Sequence, residues 1–155
     1  MLYTAARTPA RRSATLDYIP LDAQDTALWD KAMIRRAERL LINAAGRRAP
    51  GRFQLEAAIQ SAHIRGRLAG TTDWPAILAL YTQLVTIAPS TGALVSQASA
   101  IACAGDPARA LECLSKIETG TAYQPWWAVR AHCLDRLGHT GDAIAAYEQA
   151  AGLAE

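Results

Sequence analysis

Gly105-Asp106-Pro107-Ala108-Arg109-Ala110-Leu111-Glu112-Cys113-Leu114 and Gly138-His139-Thr140-Gly141-Asp142-Ala143-Ile144-Ala145-Ala146-Tyr147 are one design written twice, 33 residues apart. In each, a glycine starts the unit, an alanine follows five residues later, and a large side chain stands four residues beyond that. Stepping back another 33 residues from Ala110 and Leu114 lands on Ile77 and Tyr81, so three units share one period. Small residues let helices cross closely, large ones fill the gaps between them, and glycine releases the turn. A period of this length is the mark of stacked helix–turn–helix units.

Working outward from this core repeat, the same helical spacing covers most of the chain. Asp25 is a candidate N-cap, and from Thr26 a stripe of Leu28, Met33, Ile34, Ala37, Leu40, Leu41 and Ala44 predicts a helix that ends near Gly46 and Pro50-Gly51. A second helix is expected over 52–69, closed by Gly70. Pro75 suits the first turn of a third, which stops before Pro89. Further helices are expected over about 91–104, 107–117, 125–137 and 141–153, with a loop at 119–121. No stretch alternates apolar and polar residues over a strand's length, so the expected class is all-α with about seven helices in a hairpin solenoid. Residues 1–24 hold Pro9, Pro20 and basic pairs without a sustained period and read as an irregular lead-in. The helical domain is then 25–155, with repeat units about 52–89, 91–118 and 124–155.

Composition narrows the function. The chain has 155 residues, 51% of them hydrophobic, which excludes a disordered segment. Alanine contributes 34 residues, the strongest helix former and the smallest packing unit. No apolar run is long enough for a transmembrane helix, and the first residues lack the apolar stretch of a secretory signal, so a cytoplasmic location is expected. Cys103, Cys113 and Cys133 lack CxxC or histidine-rich spacing and read as buried free thiols, with no metal implied. Residues 1–52 carry a charge of +5 and the rest −3. Scattered basic groups of this kind are a weak nucleic-acid signal, and direct nucleic-acid binding is not expected. No phosphate-binding glycine loop, nucleophile elbow or HExxH is present, so neither catalysis nor a cofactor is expected.

The third unit is similar to the tetratricopeptide repeat, with Trp127-x2-Arg130-Ala131-x2-Leu134 and Ala143-x3-Tyr147-x2-Ala150 at that family's key positions. Ile77 and Leu84 depart from it by replacing small residues. More broadly, the chain resembles the C-terminal tetratricopeptide-like extension of a bacterial group of extracytoplasmic-function (ECF) RNA polymerase sigma factors. Leu21-Asp22-Ala23-Gln24-Asp25-x2-Leu28-Trp29-Asp30-Lys31-Ala32-x-Ile34 resembles that group's L-x-D-Q-D-x2-L-W-D-R-A-L-I segment. Gly51-Arg52-Phe53-Gln54-Leu55-Glu56-Ala57-Ala58-Ile59-x3-His63 is similar to its G-x-Y-Q-L-Q-A-A-I-x3-H stretch. Thr72-Asp73-Trp74-x2-Ile77-x2-Leu80-Tyr81-x2-Leu84-x4-Pro89 resembles its T-D-W helix. The first residues look like an internal stretch of such proteins, which implies promoter-binding sigma regions upstream of this sequence.

The resemblance implies a regulatory, protein-interaction domain acting on sigma regions, polymerase or a regulator. Among the residues, Gln54, His63 and Arg67 form a polar set beside Phe53 and Trp74 and are candidate ligand contacts, which keeps a small-molecule sensor as an alternative. A scaffold that only stabilises a longer protein is a third reading. Trp126 is a candidate exposed contact, because adjacent helical positions diverge and Trp127 takes the core position. If the first helices of each unit line a groove, His132, Asp135 and Arg136 face it, together with Val95, Ser99, Ala102 and Cys103 of the preceding unit. His139 is read as a charge at a helix end. The apolar stripe of the first helix is a candidate homodimer contact.

Overall fold

The computed structural model describes residues 1–13, 15, 17–46, 50–118 and 122–154; the expected loop at 119–121 lies outside the described residues. Among the described residues the chain is all-α and solenoid-like, with eight α-helices and no strand. It divides into two compact units, Met1–Asp73 and Trp74–Glu155. The division falls within the span 52–89 that the repeat spacing groups as one unit, and not at residue 24.

The first unit holds α1 (Leu2–Ala6), α2 (Lys31–Ala45) and α3 (Arg52–Ala69), with short 3-10 turns at Thr8–Ala10 and Thr26–Leu28. The stretch read as an irregular lead-in therefore holds, among its described residues, a short helix and a 3-10 turn. Tyr3, Ala6, Arg7 and Ala10 recur at intervals of three, one and three, and all four are buried. Tyr3, Ala6 and Ala10 join Trp29, Ile34, Ala37 and Ile64 in one core. One helical turn and a half is too short to register as a period, although its inward face is complete. The backbone N–H of Asp30 donates to the carbonyl of Ala6 at 2.9 Å, tying the start of α2 to the end of α1.

The helix expected from Thr26 begins later. Asp25 does cap, accepting from the Ala27 N–H at 2.8 Å, but the turn it starts ends at Leu28 and the backbone is extended at Trp29. Asp30 then caps α2 through the Met33 N–H at 2.8 Å. Two caps five residues apart let the chain turn so that Trp29, 3% exposed, enters the core. α3 matches its expected bounds and ends at Gly70 in the left-handed conformation, φ +78°. Within it, Gly66 is obligatory for another reason: a Cβ there would stand 2.8 Å from Thr72 Cα.

The second unit stacks α4 (Trp74–Ile87), α5 (Thr91–Cys103), α6 (Pro107–Ser115), α7 (Gln124–Arg136) and α8 (Thr140–Gly152). Each helix packs on its successor, and α5 also packs on α7, which is the nearest-neighbour stacking of a solenoid. The 33-residue period is visible in burial. Ile77, Ala110 and Ala143 occupy equivalent places and are buried, as are Ala98 with Ala131 and Ile101 with Leu134. Gly105 and Gly138, also 33 apart, both have positive φ, at +110° and +80°. Ser90 caps α5 through the Ala93 N–H, and Asp106 caps α6 through the Arg109 N–H with Pro107 following.

Candidate functional site

Three helices of the first unit converge on a buried polar belt. From α1, the Tyr3 hydroxyl donates to Glu38 Oε1 of α2 at 2.8 Å, and from α3 the Ser61 hydroxyl donates to the same oxygen at 2.6 Å. Burial, and then the bond to Glu38, push the Tyr3 phenol from 10.0 up to about 12. Arg7, 8% exposed, donates through Nη2 to Gln60 Oε1 at 2.8 Å and through Nε to its own helix at the Tyr3 carbonyl, 3.3 Å away. Desolvation lowers the Arg7 guanidinium from its ordinary value, and the neighbouring Arg11 adds to that. His63 is held below its ordinary value by burial and then by the charge of Arg7. Arg67 donates to the Gln24 carbonyl at 3.2 Å, and Gln24 donates in turn to the Ile19 carbonyl at 2.9 Å. The belt thus ties residues 3, 7, 19 and 24 to α2 and α3.

This arrangement separates the polar set singled out from sequence. His63 and Arg67 lie one turn apart on α3. Gln54 precedes His63 by nine positions, which places it about 180° around the helix and about 13.5 Å along it. Gln54 and Phe53 instead line an apolar groove of about 350 Å³, shared with Met1 and Leu2 of the N-terminus and Leu40, Leu41 and Ala44 of α2. His63 and Arg67 do not line it. Phe53 is 79% exposed and Leu40 54% exposed at the groove. The stripe of α2 proposed for self-association is accordingly divided: Ile34 and Ala37 are buried within the unit, and Leu40 stays outside.

On α7 the expected contact residues also take different roles. Trp126 is half-buried against Val95, Ala98 and Leu114, and its indole N–H donates to the Leu114 carbonyl at 3.1 Å. It is a packing residue, covered on one side by the Arg130 guanidinium 5.7 Å from its ring centre. Trp126 and Trp127 do diverge into two core clusters, yet their rings meet edge to face with centroids 4.9 Å apart. Asp135 and Arg136 are exposed, whereas His132 is half-buried with Nε2 unpartnered among the described residues. Val95 and Ala102 of α5 are buried, so they belong to the core and not to an open groove.

Cys103, Cys113 and Cys133 are free thiols. Burial pushes Cys133 from 9.0 up to about 11, with Cys103 contributing, while Arg136 opposes the rise. Cys103 is raised by burial too. His139 follows α7, where its backbone N–H closes on the Leu134 carbonyl at 3.0 Å; its side chain makes no cap bond to α8. Among the described residues, no group of three or more histidine, cysteine, aspartate or glutamate side chains is placed to hold a metal ion. None of their helices is long and apolar enough to cross a membrane.

Sequence reasoning missed Tyr3, Arg7, Glu38 and Ser61. The signal for the first two was the inward spacing of residues 3, 6, 7 and 10. Glu38 gave none, since an acid among Arg35, Arg36 and Arg39 reads as one more solvated charge.

Residues 1–45 match a family described as "Family of unknown function (DUF6596)". That match covers α1, both 3-10 turns and the whole of α2, the segment that the belt joins to α3. The whole chain is similar to an uncharacterized protein of Rhizobium meliloti (strain 1021), 31% identical over 155 residues and 99% of this chain. The chain spans 37% of that relative's length. No solved structure matches.

Proposed function

We propose that this chain is the non-catalytic regulatory domain of an ECF-type sigma factor, built on tetratricopeptide-like hairpins. It acts in the cytoplasm, in transcription initiation, through protein contacts with sigma regions, polymerase or a regulator, and without touching promoter DNA. The observation that carries the reading is the run from Leu21 to Ile34. Its resemblance to the sigma-factor extension includes Gln24 and Trp29, which are 1% and 3% exposed, so these two matching residues help to shape this unit. The same run lies inside the family match at residues 1–45. The relative's greater length, of which this chain spans 37%, leaves room for promoter-binding regions in a protein of that kind.

The test is transcription from a cognate promoter by a sigma factor carrying this sequence, with and without residues 52–155, at matched protein levels. It is paired with titration of the domain against the sigma regions and core polymerase. Altered promoter output with saturable binding is the expected result. Unchanged output together with no binding refutes the proposal.

A further inference from the structure

Residues 1–16 hold three arginines, Arg7, Arg11 and Arg12, and no acid. The backbone brings the last two together with an aromatic ring. The Arg11 N–H closes the 3-10 turn on the Thr8 carbonyl at 3.3 Å, and the Arg11 carbonyl accepts from the Ile19 N–H at 2.9 Å. Arg12 pairs with Tyr18 across an isolated antiparallel bridge, and the Ser13 N–H donates to the Asp17 carbonyl at 2.9 Å. A small hairpin is thereby clamped onto the turn, and Ala10, 1% exposed, anchors the turn in the core. Where turn and hairpin meet, Thr8, Arg11, Arg12 and Tyr18 line a cavity of about 200 Å³.

Charge at this corner is one-sided. Arg7 is 8% exposed and donates to neutral acceptors, Gln60 Oε1 and the Tyr3 carbonyl. Among the described residues neither Arg7 nor Arg11 enters an ion pair. Desolvation and then the Arg11 charge lower the Arg7 guanidinium, so the two cations act on each other. A buried charge is ordinarily paired, because leaving it uncompensated away from water is costly. The hairpin's one acid, Asp17, accepts from the hydroxyls of Ser13 and Thr15. Arg11 is half-buried with its guanidinium carbon 5.8 Å from the Tyr18 ring centre, and Tyr18 itself is 66% exposed. The Thr8 hydroxyl holds only a long bond of 3.4 Å to the Thr4 carbonyl and can turn to a better acceptor.

We propose that this cavity binds the phosphoryl group of a small phosphate monoester, with Arg11, Arg12 and Thr8 donating to its oxygens and Tyr18 lying against the group it esterifies. Guanidinium forks match the oxygen spacing of phosphate and hold it by charge-assisted hydrogen bonds. At about 200 Å³ the cavity is smaller than the roughly 300–1,000 Å³ of drug-sized sites, so it takes the anionic head and one adjoining group. One exposed ring on a short hairpin does not supply the basic track and successive stacking platforms that a nucleic-acid strand uses. Arg7 does not line the cavity; its charge adds to the positive field there through Arg11. This inference stands independently of the sigma-factor reading.

The experiment is isothermal titration of the whole chain at low salt in a buffer without phosphate or sulfate. The probes are phenyl phosphate, inorganic phosphate and a single-stranded oligodeoxynucleotide. Phenyl phosphate is expected to bind saturably at one site per chain and to weaken as salt is added. Inorganic phosphate should compete for the same site with lower affinity, because it lacks the group that lies against Tyr18. Arg11→Gln and Arg12→Gln should each weaken phenyl phosphate about tenfold. Tyr18→Ala should bring phenyl phosphate down to the level of inorganic phosphate. Arg35→Gln with Arg39→Gln, exposed on α2 and outside the cavity, should leave binding unchanged. Arg12 and Tyr18 are exposed, so their variants decide the matter even where Arg11→Gln disturbs the turn, and unchanged far-UV circular dichroism verifies folding. Absence of saturable phenyl phosphate binding overturns the inference, as does binding that survives Arg12→Gln. An oligonucleotide that binds where phenyl phosphate does not overturns it in favour of a nucleic-acid surface.

Discussion

Replacing Glu38 by alanine removes the acceptor that joins three helices of the first unit. The Tyr3 hydroxyl at 2.8 Å and the Ser61 hydroxyl at 2.6 Å both end on Glu38 Oε1, and their residues are 4% and 1% exposed. A hydrogen bond to a charged group contributes about 1.5–3 kcal/mol, and stranding a buried donor costs about 1–3 kcal/mol. One oxygen serves both donors and Glu38 is half-buried, so water can reach part of the gap. A total of about 3 kcal/mol is the expected loss, at the low end of two such bonds. Native-state hydrogen exchange, followed by mass spectrometry on peptides covering α1 and α3, reads this locally. A loss of that size accelerates exchange through the shared opening by roughly 150-fold. Arg39→Ala, at an exposed neighbouring position, is the control and should stay within about 0.5 kcal/mol. Glu38→Gln keeps an acceptor oxygen and should fall between the two. If Glu38→Ala loosens α1 no more than Arg39→Ala does, the belt does not hold residues 1–24 in the fold and the reasoning is wrong.

Four further outcomes follow from the same structure. Tyr3 binds its proton more tightly folded than unfolded, so its contribution is complete below pH 10 and is lost as pH rises toward about 12; base titration of stability in Tyr3→Phe should lack that component. His63 is depressed by burial and Arg7, so its contribution is present above the ordinary histidine value and is lost on acidification; the acid limb of unfolding should flatten in His63→Gln. Gly66→Ala should destabilise by roughly 1–3 kcal/mol in urea titration, because the new methyl meets backbone at Thr72, whereas Gly141→Ala meets nothing within 4 Å and should gain up to about 1 kcal/mol. Iodoacetamide should alkylate half-buried Cys113 well before Cys133, which is fully enclosed and pushed up to about 11; equal rates would show that α7 opens readily.

Features that depend on short-range spacing were legible along the chain. Ala110 and Ala143 recur with Ile77, Gly105 recurs with Gly138, and these positions became the buried crossings and the left-handed turns of the second unit. Close packing of successive hairpins restricts the side chain at each crossing, small at Ala110 and Ala143 and larger at Ile77, so the constraint repeats along the chain and can be read there. The bounds of α3 were legible for a similar reason, since Gly70 marks its end locally. Features set by long-range contacts lie in the first unit and on α7. Tyr3 and Glu38 are 35 residues apart and Arg7 and Gln60 are 53 apart, and neither pairing leaves any periodic trace. Gln54, His63 and Arg67 share a helix but not a surface, and Trp126 turns inward because the Leu114 carbonyl accepts from its N–H. A hydrogen bond between distant segments is set by where three helices converge, and one residue's identity does not carry that information. Local periodicity therefore revealed the scaffold, while the polar belt and the groove beside it emerged only once residues 1–24 were folded onto α2 and α3.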